Sequence, residues 1–129
     1  MNIPPITSNA ATNNPDPNTK LAIQNLTDVY DNVNNIGQDI EIINNPNSTQ
    51  DEIQQATIDM EGCQQDAEAS FSNLTSPPIS GALTKGQLSA LQGIQEEFTN
   101  LMKENPLNAS WTGPMAREIK ATQNALKPN

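Results

Sequence analysis

The feature of this chain that most restricts its fold is a pair of heptad repeats between Lys20 and Lys85. In each repeat, seven apolar or small residues are separated alternately by three and four positions. This spacing places every member of a repeat on one side of an α-helix, and that side must be buried. The sequence therefore predicts two long helices that pair through these two seams. The first seam contains Ala22, Leu26, Val29, Val33, Ile36, Ile40 and Ile43, and the second contains Ile53, Ala56, Met60, Cys63, Ala67, Ser70 and Leu74.

A short polar turn separates the two predicted helices. Residues 44–48 read Asn-Asn-Pro-Asn-Ser, and a proline disfavours helix at the residue before it. We predict the first helix from about residue 19 to 44 and the second from 49 to about 73. Thr49 and Glu52 have the spacing of a capping box at the start of the second helix. Two long helices joined by a short turn are antiparallel neighbours.

The remainder of the chain predicts one or two shorter helices. Residues 76–81 contain two prolines and a glycine and break the second helix. Thr84 and Gln87 have capping-box spacing again, and an apolar stripe follows them to about residues 105–106. A short fourth helix is predicted from Met115. The stripe of the third helix contains Leu88, Leu91, Ile94, Phe98, Leu101 and Met102, and that of the fourth contains Met115, Ile119, Thr122 and Leu126.

Length and composition indicate a single small domain. The chain has 129 residues, of which 34% are hydrophobic, and a mean hydropathy of -0.61. Its first fifteen residues carry no charged side chain and are rich in Asn, Thr, Ser, Pro and Ala, which is typical of disorder. We therefore predict a disordered N-terminal tail, 1–18, and one helical domain, 19–129. The expected fold is an all-α bundle of three to four antiparallel helices, built on a long N-terminal helical hairpin.

The charge is distributed unevenly along the chain. Residues 21–84 hold ten acidic residues and no lysine or arginine, whereas five of the six basic residues lie in 85–129. An acidic surface repels phosphate, which argues against nucleic acid and anionic membranes as direct partners. It favours a basic protein partner, although the basic C-terminal helices of the same chain are an alternative partner for the hairpin. A third interpretation is an acidic surface that only keeps the protein soluble.

These considerations give a set of candidate partner-binding residues. Flanking charges beside a heptad seam select the partner of a helix, and they also discourage pairing between two acidic copies. Trp111 is expected to cover the end of the bundle core, and it is included because tryptophans often anchor interfaces. The candidates are Glu52, Asp59, Glu61, Asp66, Glu68 and Trp111, and Asp39 is predicted to flank the first seam in the same way.

No catalytic residue, cofactor site or metal site is predicted from the sequence. The chain lacks histidine, which removes the common general base and the common zinc ligand. The Asn- and Asp-rich turn does not fit a calcium loop, since Gln50 and Ala56 occupy positions where glycine and glutamate are required. Cys63, the single cysteine, is expected to be a buried small residue. No apolar run reaches the length of a membrane span, and no secretory signal is recognised.

Two resemblances follow from these segments. The uncharged tail, the heptad helix, the turn at residues 44–48 and the second amphipathic helix resemble small helical-hairpin proteins of bacterial type III secretion systems, over residues 19–75. In the needle subunits of that group, such hairpins assemble into a hollow filament; this chain continues more than 50 residues beyond its hairpin. The turn Trp111-Thr112-Gly113 is similar to that of WXG-type secreted proteins, in which it lies near mid-chain.

Two functions are therefore expected, neither of them enzymatic. The first is a bacterial virulence-type protein, secreted without a signal peptide or associated with a secretion system, that acts through protein contacts of its acidic hairpin. The second is a cytoplasmic acidic adaptor or chaperone that presents the same surface to a basic client. A homo-oligomer formed through the seams is a further possibility for either function.

Overall fold

Four α-helices account for most of the residues that this computed structural model describes, which are 17–104 and 107–126. Two short 3₁₀ turns, Ile79–Ala82 and Ala109–Trp111, lie in the connections, and no β-strand occurs in the described residues. The predicted all-α helical bundle is confirmed. The helices are α1 (Pro17–Asn44), α2 (Gln50–Leu74), α3 (Lys85–Glu104) and α4 (Thr112–Leu126).

The first helix begins two residues earlier than predicted. Proline is well suited to the first helical position, because its missing N–H would have no partner there and its φ is already helical. Residues 17 and 18, which the sequence analysis assigned to the tail, are therefore part of α1. The rest of the predicted disordered tail, 1–16, lies outside the described residues.

Both predicted capping boxes are present. The backbone N–H of Thr49 donates to Glu52 Oε1 at 2.7 Å, and the N–H of Glu52 donates back to Thr49 Oγ1 at 3.1 Å. The same pair of bonds joins Thr84 and Gln87, at 2.9 and 3.1 Å. Each box satisfies two amide groups that the first helical turn leaves without partners, and so sets where α2 and α3 begin.

The two heptad seams meet in the core. The first six residues of the α1 seam are fully buried, and all residues of the α2 seam except Ile53 are buried. Along one edge of this interface, Asp28 Oδ2 accepts a hydrogen bond from Ser70 Oγ at 2.5 Å, and Asn73 Nδ2 donates to Asn25 Oδ1 at 3.2 Å. From the first pair to the second, the α1 residue moves three positions toward the N-terminus and the α2 residue moves three positions toward the C-terminus. The helices are therefore antiparallel, as predicted, and keep one register along this edge.

Helix α1 lies between α2 and α4. Gln123 of α4 is buried and donates from Nε2 to the carbonyl of Ile23 at 2.9 Å and to Thr27 Oγ1. At the other end of α1, Gly37 lies against Thr112, the first residue of α4. Helix α4 thus runs antiparallel to α1, and it begins three residues before the predicted Met115. The sequence left open whether the fourth helix packs on the hairpin, and the structure shows that it packs on α1.

Helix α3 completes the core through Phe98. The ring of Phe98 is 5.7 Å from that of Phe71 in α2 and 5.9 Å from that of Trp111, measured between centroids. Trp111 is half-buried and meets Phe98 edge-on, in agreement with a tryptophan that covers the core. Helix α2 packs much more extensively on α1 than on α3. Much of its outer surface is therefore left to solvent.

Candidate functional site

The outer surface of α2 carries most of the candidate residues. Four of the five acidic candidates are exposed, and Glu68 is half-buried. In the described residues no carboxylate of α2 forms an ion pair with a lysine or arginine. Lys120 of α4 lies instead 5.3 Å above the ring of Tyr30 in α1. We use the name acidic surface for the exposed side chains Asp51, Glu52, Ile58, Asp59, Glu61 and Asp66.

Ile58 is a member of this surface that the sequence analysis missed. It is 57% exposed, more than any other large hydrophobic residue in the described part of the chain. It lies three residues before Glu61 and seven after Asp51, so these side chains share one side of α2. The signal was present in the sequence, because Ile58 is an isoleucine outside the heptad seam, where a polar residue is the rule.

Asp59 also belongs to a second group of side chains, at the interface between α1 and α2. A carboxylate oxygen of Asp59, one of Asp39 and the sulfur of Cys63 all lie within 4.8 Å of one another. Asp59 and Cys63 are one turn apart on α2, and Asp39 reaches them from α1. We call these three residues the carboxyl–thiol cluster. It lies eleven residues from the Asp28–Ser70 pair on each helix and continues the same polar edge of the hairpin.

The burial of Asp39 differs from the prediction that it flanks the seam as a solvated charge. Only 7% of this residue is exposed, because α2 packs over this side of α1. Its Oδ2 atom is buried and has no hydrogen-bond partner. An unpaired carboxylate oxygen in such a place is costly, and it therefore calls for a proton or a cation as its counterpart.

The electrostatics of the cluster follow from this burial. Loss of solvent, a side-chain hydrogen bond with Asp59 and the charge of Asp59 together raise the pKa of Asp39 from 3.8 to about 7, and the loss of solvent contributes most. Burial likewise raises the pKa of the Cys63 thiol to about 11, with an added contribution from the charge of Asp59. The thiol points its proton toward Asp59 Oδ2 across 3.7 Å. Cys63 is thus buried, as predicted, and protonated at neutral pH.

A groove of about 510 Å³ gives the cluster access to solvent. It lies where the end of α1, the interhelical turn and the first turns of α2 meet. Its polar lining includes both carboxylates of the cluster and several side-chain amides and hydroxyls, which are suited to hydrogen bonding. The residues that line it are Asp39, Ile42, Asn45, Asn47, Ser48, Glu52, Gln55, Ala56 and Asp59.

The candidate residues do not all act as one group. Glu52 and Asp59 line the groove, whereas Glu61 and Asp66 belong only to the open part of the acidic surface. Trp111 lies on the turn before α4 and packs against Phe98. Its Nε1 atom is buried without a hydrogen-bond partner. The tryptophan is therefore best described as part of the core rather than of the acidic surface.

The fold and these side chains define a small all-α bundle whose N-terminal hairpin carries an acidic surface and a buried carboxyl–thiol cluster. No protein family, curated protein or solved structure matches the chain. The resemblance to type III secretion proteins accordingly stays a prediction. Within the described residues, no helix is long and apolar enough to cross a bilayer.

Proposed function

We propose that this chain is a non-enzymatic protein that binds another protein through the acidic surface of α2, and that it is secreted by, or associated with, a bacterial secretion system. The observation that carries the proposal is a row of exposed carboxylates on α2 that have no basic partner within the described residues. Its partner is expected to present lysines or arginines, which such a surface attracts over distance and aligns on contact.

The exposed apolar side chain of Ile58 also supports the proposal. Charges at the rim of an interface contribute mainly to the rate of association and to specificity, whereas buried apolar anchors contribute most of the affinity. An isoleucine that is 57% exposed among Asp51, Glu61 and Asp66 provides such an anchor. The proposed partner therefore combines an apolar recess with a basic rim.

The binding test uses Glu61 and Asp66, because neither forms a hydrogen bond or an ion pair within the described residues. Glu52 closes the capping box of α2, and Asp59 belongs to the carboxyl–thiol cluster, so reversing their charge would disturb the fold as well. The double variant Glu61→Lys/Asp66→Lys is compared with Glu96→Lys/Glu97→Lys. The control pair is exposed on α3 and changes the net charge by the same amount.

Each protein, together with wild type and Ile58→Ala, is cross-linked in a cell extract, and bound proteins are quantified by mass spectrometry. We expect wild type and the α3 control to capture at least one basic partner in similar amounts. The captured amount of that partner should be at least tenfold lower with the α2 double variant and with Ile58→Ala. If all four proteins capture the same partners in the same amounts, the acidic surface is not a binding surface.

The alternative function is that of a cytoplasmic adaptor or chaperone. Such a protein would use the same surface but would stay inside the cell instead of being secreted. The segment 1–18, whose first fifteen residues carry no charged side chain, motivates the secreted form, since the type III pathway is associated with N-terminal signals that are disordered and not cleaved. We expect a reporter fused to the full chain to be exported by a type III system, and the same fusion without residues 1–18 to remain inside the cell. Equal export of both would remove the main support for secretion.

A further inference from the structure

We propose that Asp39, Asp59 and Cys63 form a binding site for a borderline-soft divalent cation of the zinc class. This site is independent of the protein-binding function proposed above. Its donor atoms, one from each residue, already lie within 4.8 Å of one another. No metal site was predicted from the sequence, which lacks histidine, because the three donors come together only where α1 and α2 pack.

A second observation, separate from the clustering, indicates that a ligand belongs there. Asp39 is more than nine-tenths buried, and its Oδ2 atom accepts no hydrogen bond. Proteins rarely leave a buried carboxylate oxygen without a partner, since its lost hydration is then uncompensated. The groups closest to it in the cluster are another carboxylate and a thiol, and neither compensates a negative charge. A divalent cation between the three donors would offset most of their combined negative charge.

The geometry fits a tetrahedral cation. Zinc binds carboxylate oxygens at about 2.0–2.2 Å and thiolate sulfur at about 2.3 Å, so neighbouring donors are roughly 3.5 Å apart. The sulfur of Cys63 and Oδ2 of Asp59 are 3.7 Å apart, close to that separation. Asp59 and Cys63 hold fixed positions one helical turn apart on α2, as metal ligands on helices commonly do. Asp39 and Asp59 also line the groove, which gives a path for a cation from solvent to the cluster.

The donor set also restricts which cation is bound. Calcium and magnesium require six or more oxygen ligands and do not favour sulfur. Two carboxylates with one thiolate are suited to Zn²⁺, and to Co²⁺ or Cd²⁺ as probes, because thiolate ligands select softer ions. We therefore expect selectivity for these ions over an excess of Mg²⁺, even though the net charge of -9 attracts all cations weakly.

The test is a titration of the full-length chain with Co²⁺ at pH 8 in the presence of millimolar Mg²⁺. We expect one equivalent of Co²⁺ to produce the near-ultraviolet charge-transfer band of a thiolate–cobalt bond, and Zn²⁺ to remove it. The melting temperature should rise as Zn²⁺ is added, because a ligand that binds only the folded state stabilises it.

Three variants give the proposal its specificity. Cys63→Ser should abolish the band, and Asp39→Asn should weaken binding at least tenfold. Asp31→Asn, which removes the same charge from an exposed position on α1, should leave both measurements unchanged. Circular dichroism of each variant establishes that it is folded. The absence of a charge-transfer band from wild type would overturn the proposal, as would an equal loss of affinity in Asp39→Asn and Asp31→Asn.

Discussion

At Asp39 the hairpin places a carboxyl group in an interface whose other buried residues on α1 are mainly aliphatic. In the absence of a cation, a proton is the counterpart that keeps this group neutral. The unfolded chain loses that proton near the ordinary pKa of 3.8, whereas the folded protein retains it up to about pH 7. The folded state therefore binds more protons between these two pH values, and its stability falls as the pH rises through this range.

Asp39→Asn tests this pH dependence. The variant keeps the shape of the side chain but never ionises, so it should be more stable than wild type by roughly 2–4 kcal/mol at pH 8 and equal to it near pH 4. Urea unfolding at both pH values, in buffer containing a metal chelator, measures the free energy of unfolding.

Asp31→Asn is the matched control for this prediction. Asp31 lies on the same helix but is exposed, so its replacement should change the free energy of unfolding by less than about 0.5 kcal/mol at either pH. A wild-type protein whose stability is independent of pH between 4 and 8 would contradict the assignment of a protonated Asp39.

The sequence predicted the seam residues individually but did not predict Asp39. A heptad position beside the seam can be either exposed or buried. Whether Asp39 is exposed depends on which side of α1 is covered by α2. The period of α1 contains no information about that direction. For the same reason Asp59 was correctly placed on an exposed position, while its proximity to Asp39 and Cys63 was not predicted.

At the level of the helices, Gly37 shows a close contact that holds α1 and α4 together. A Cβ atom on Gly37 would lie 2.7 Å from Thr112 Oγ1 and 3.2 Å from Thr112 Cβ. Thr112 has little freedom to move, because it is buried and its hydroxyl donates to the carbonyl of Ala109 at 2.9 Å. Glycine in a helix interior lowers the stability of that helix, but here the missing side chain allows α4 to approach.

Gly37→Ala and Gly62→Ala should therefore change stability in opposite directions. Gly62 is exposed in the middle of α2, and nothing lies within 4 Å of a Cβ built there. Alanine at 62 should stabilise the protein by about 0.5–1 kcal/mol through helix propensity alone. Alanine at 37 should destabilise it by about 1–2 kcal/mol, because the cost of overpacking exceeds the same gain.

Urea denaturation of the two variants and of wild type measures both changes under one condition. The comparison is internal, since the same substitution is made in two helices of one protein. Equal stabilisation by both alanines would mean that Thr112 moves aside without cost and that the α1–α4 contact at Gly37 is loose.

The elements themselves were largely predictable, and their contacts were less so. Hydrophobic period, proline turns and two capping boxes carry local information, and they located α2 and α3 to within a residue or two at their starts. The start of α4 was set three residues too late, because threonine, glycine and proline at 112–114 have low helix propensity, and the burial of Thr112 against Gly37 is not visible in the sequence. Which helix lies in the centre is a property of tertiary packing, and no local pattern encodes it.

Across the whole molecule, the seams of α1 and α2 pair within one chain, and α4 covers another side of α1. No uncovered seam remains in the described residues for a second copy. We expect light scattering on a size-exclusion column to give a monomer mass of 13.9 kDa across a hundredfold range of concentration. The mass should not change between low and high salt.

High salt is the informative condition in this measurement. It screens the repulsion between acidic surfaces, which at low salt would hide a tendency of the hairpins to pair. A mass that grows with concentration, and grows faster at high salt, would show that the seams also pair between chains. That result would favour a structural subunit over a monomeric binding protein.

The central position of α1 also determines when the protein becomes complete during synthesis. Helix α1 ends at residue 44, but α4, which covers the side containing Tyr30 and Gly37, begins only at residue 112. At translation rates of roughly 5–20 residues per second, α4 is synthesised on the order of ten seconds after α1, and this side of α1 has no packing partner during that time. The hairpin is thus incompletely packed while the rest of the chain is synthesised. Cellular holdases or an export channel would bind the chain in this incompletely packed form.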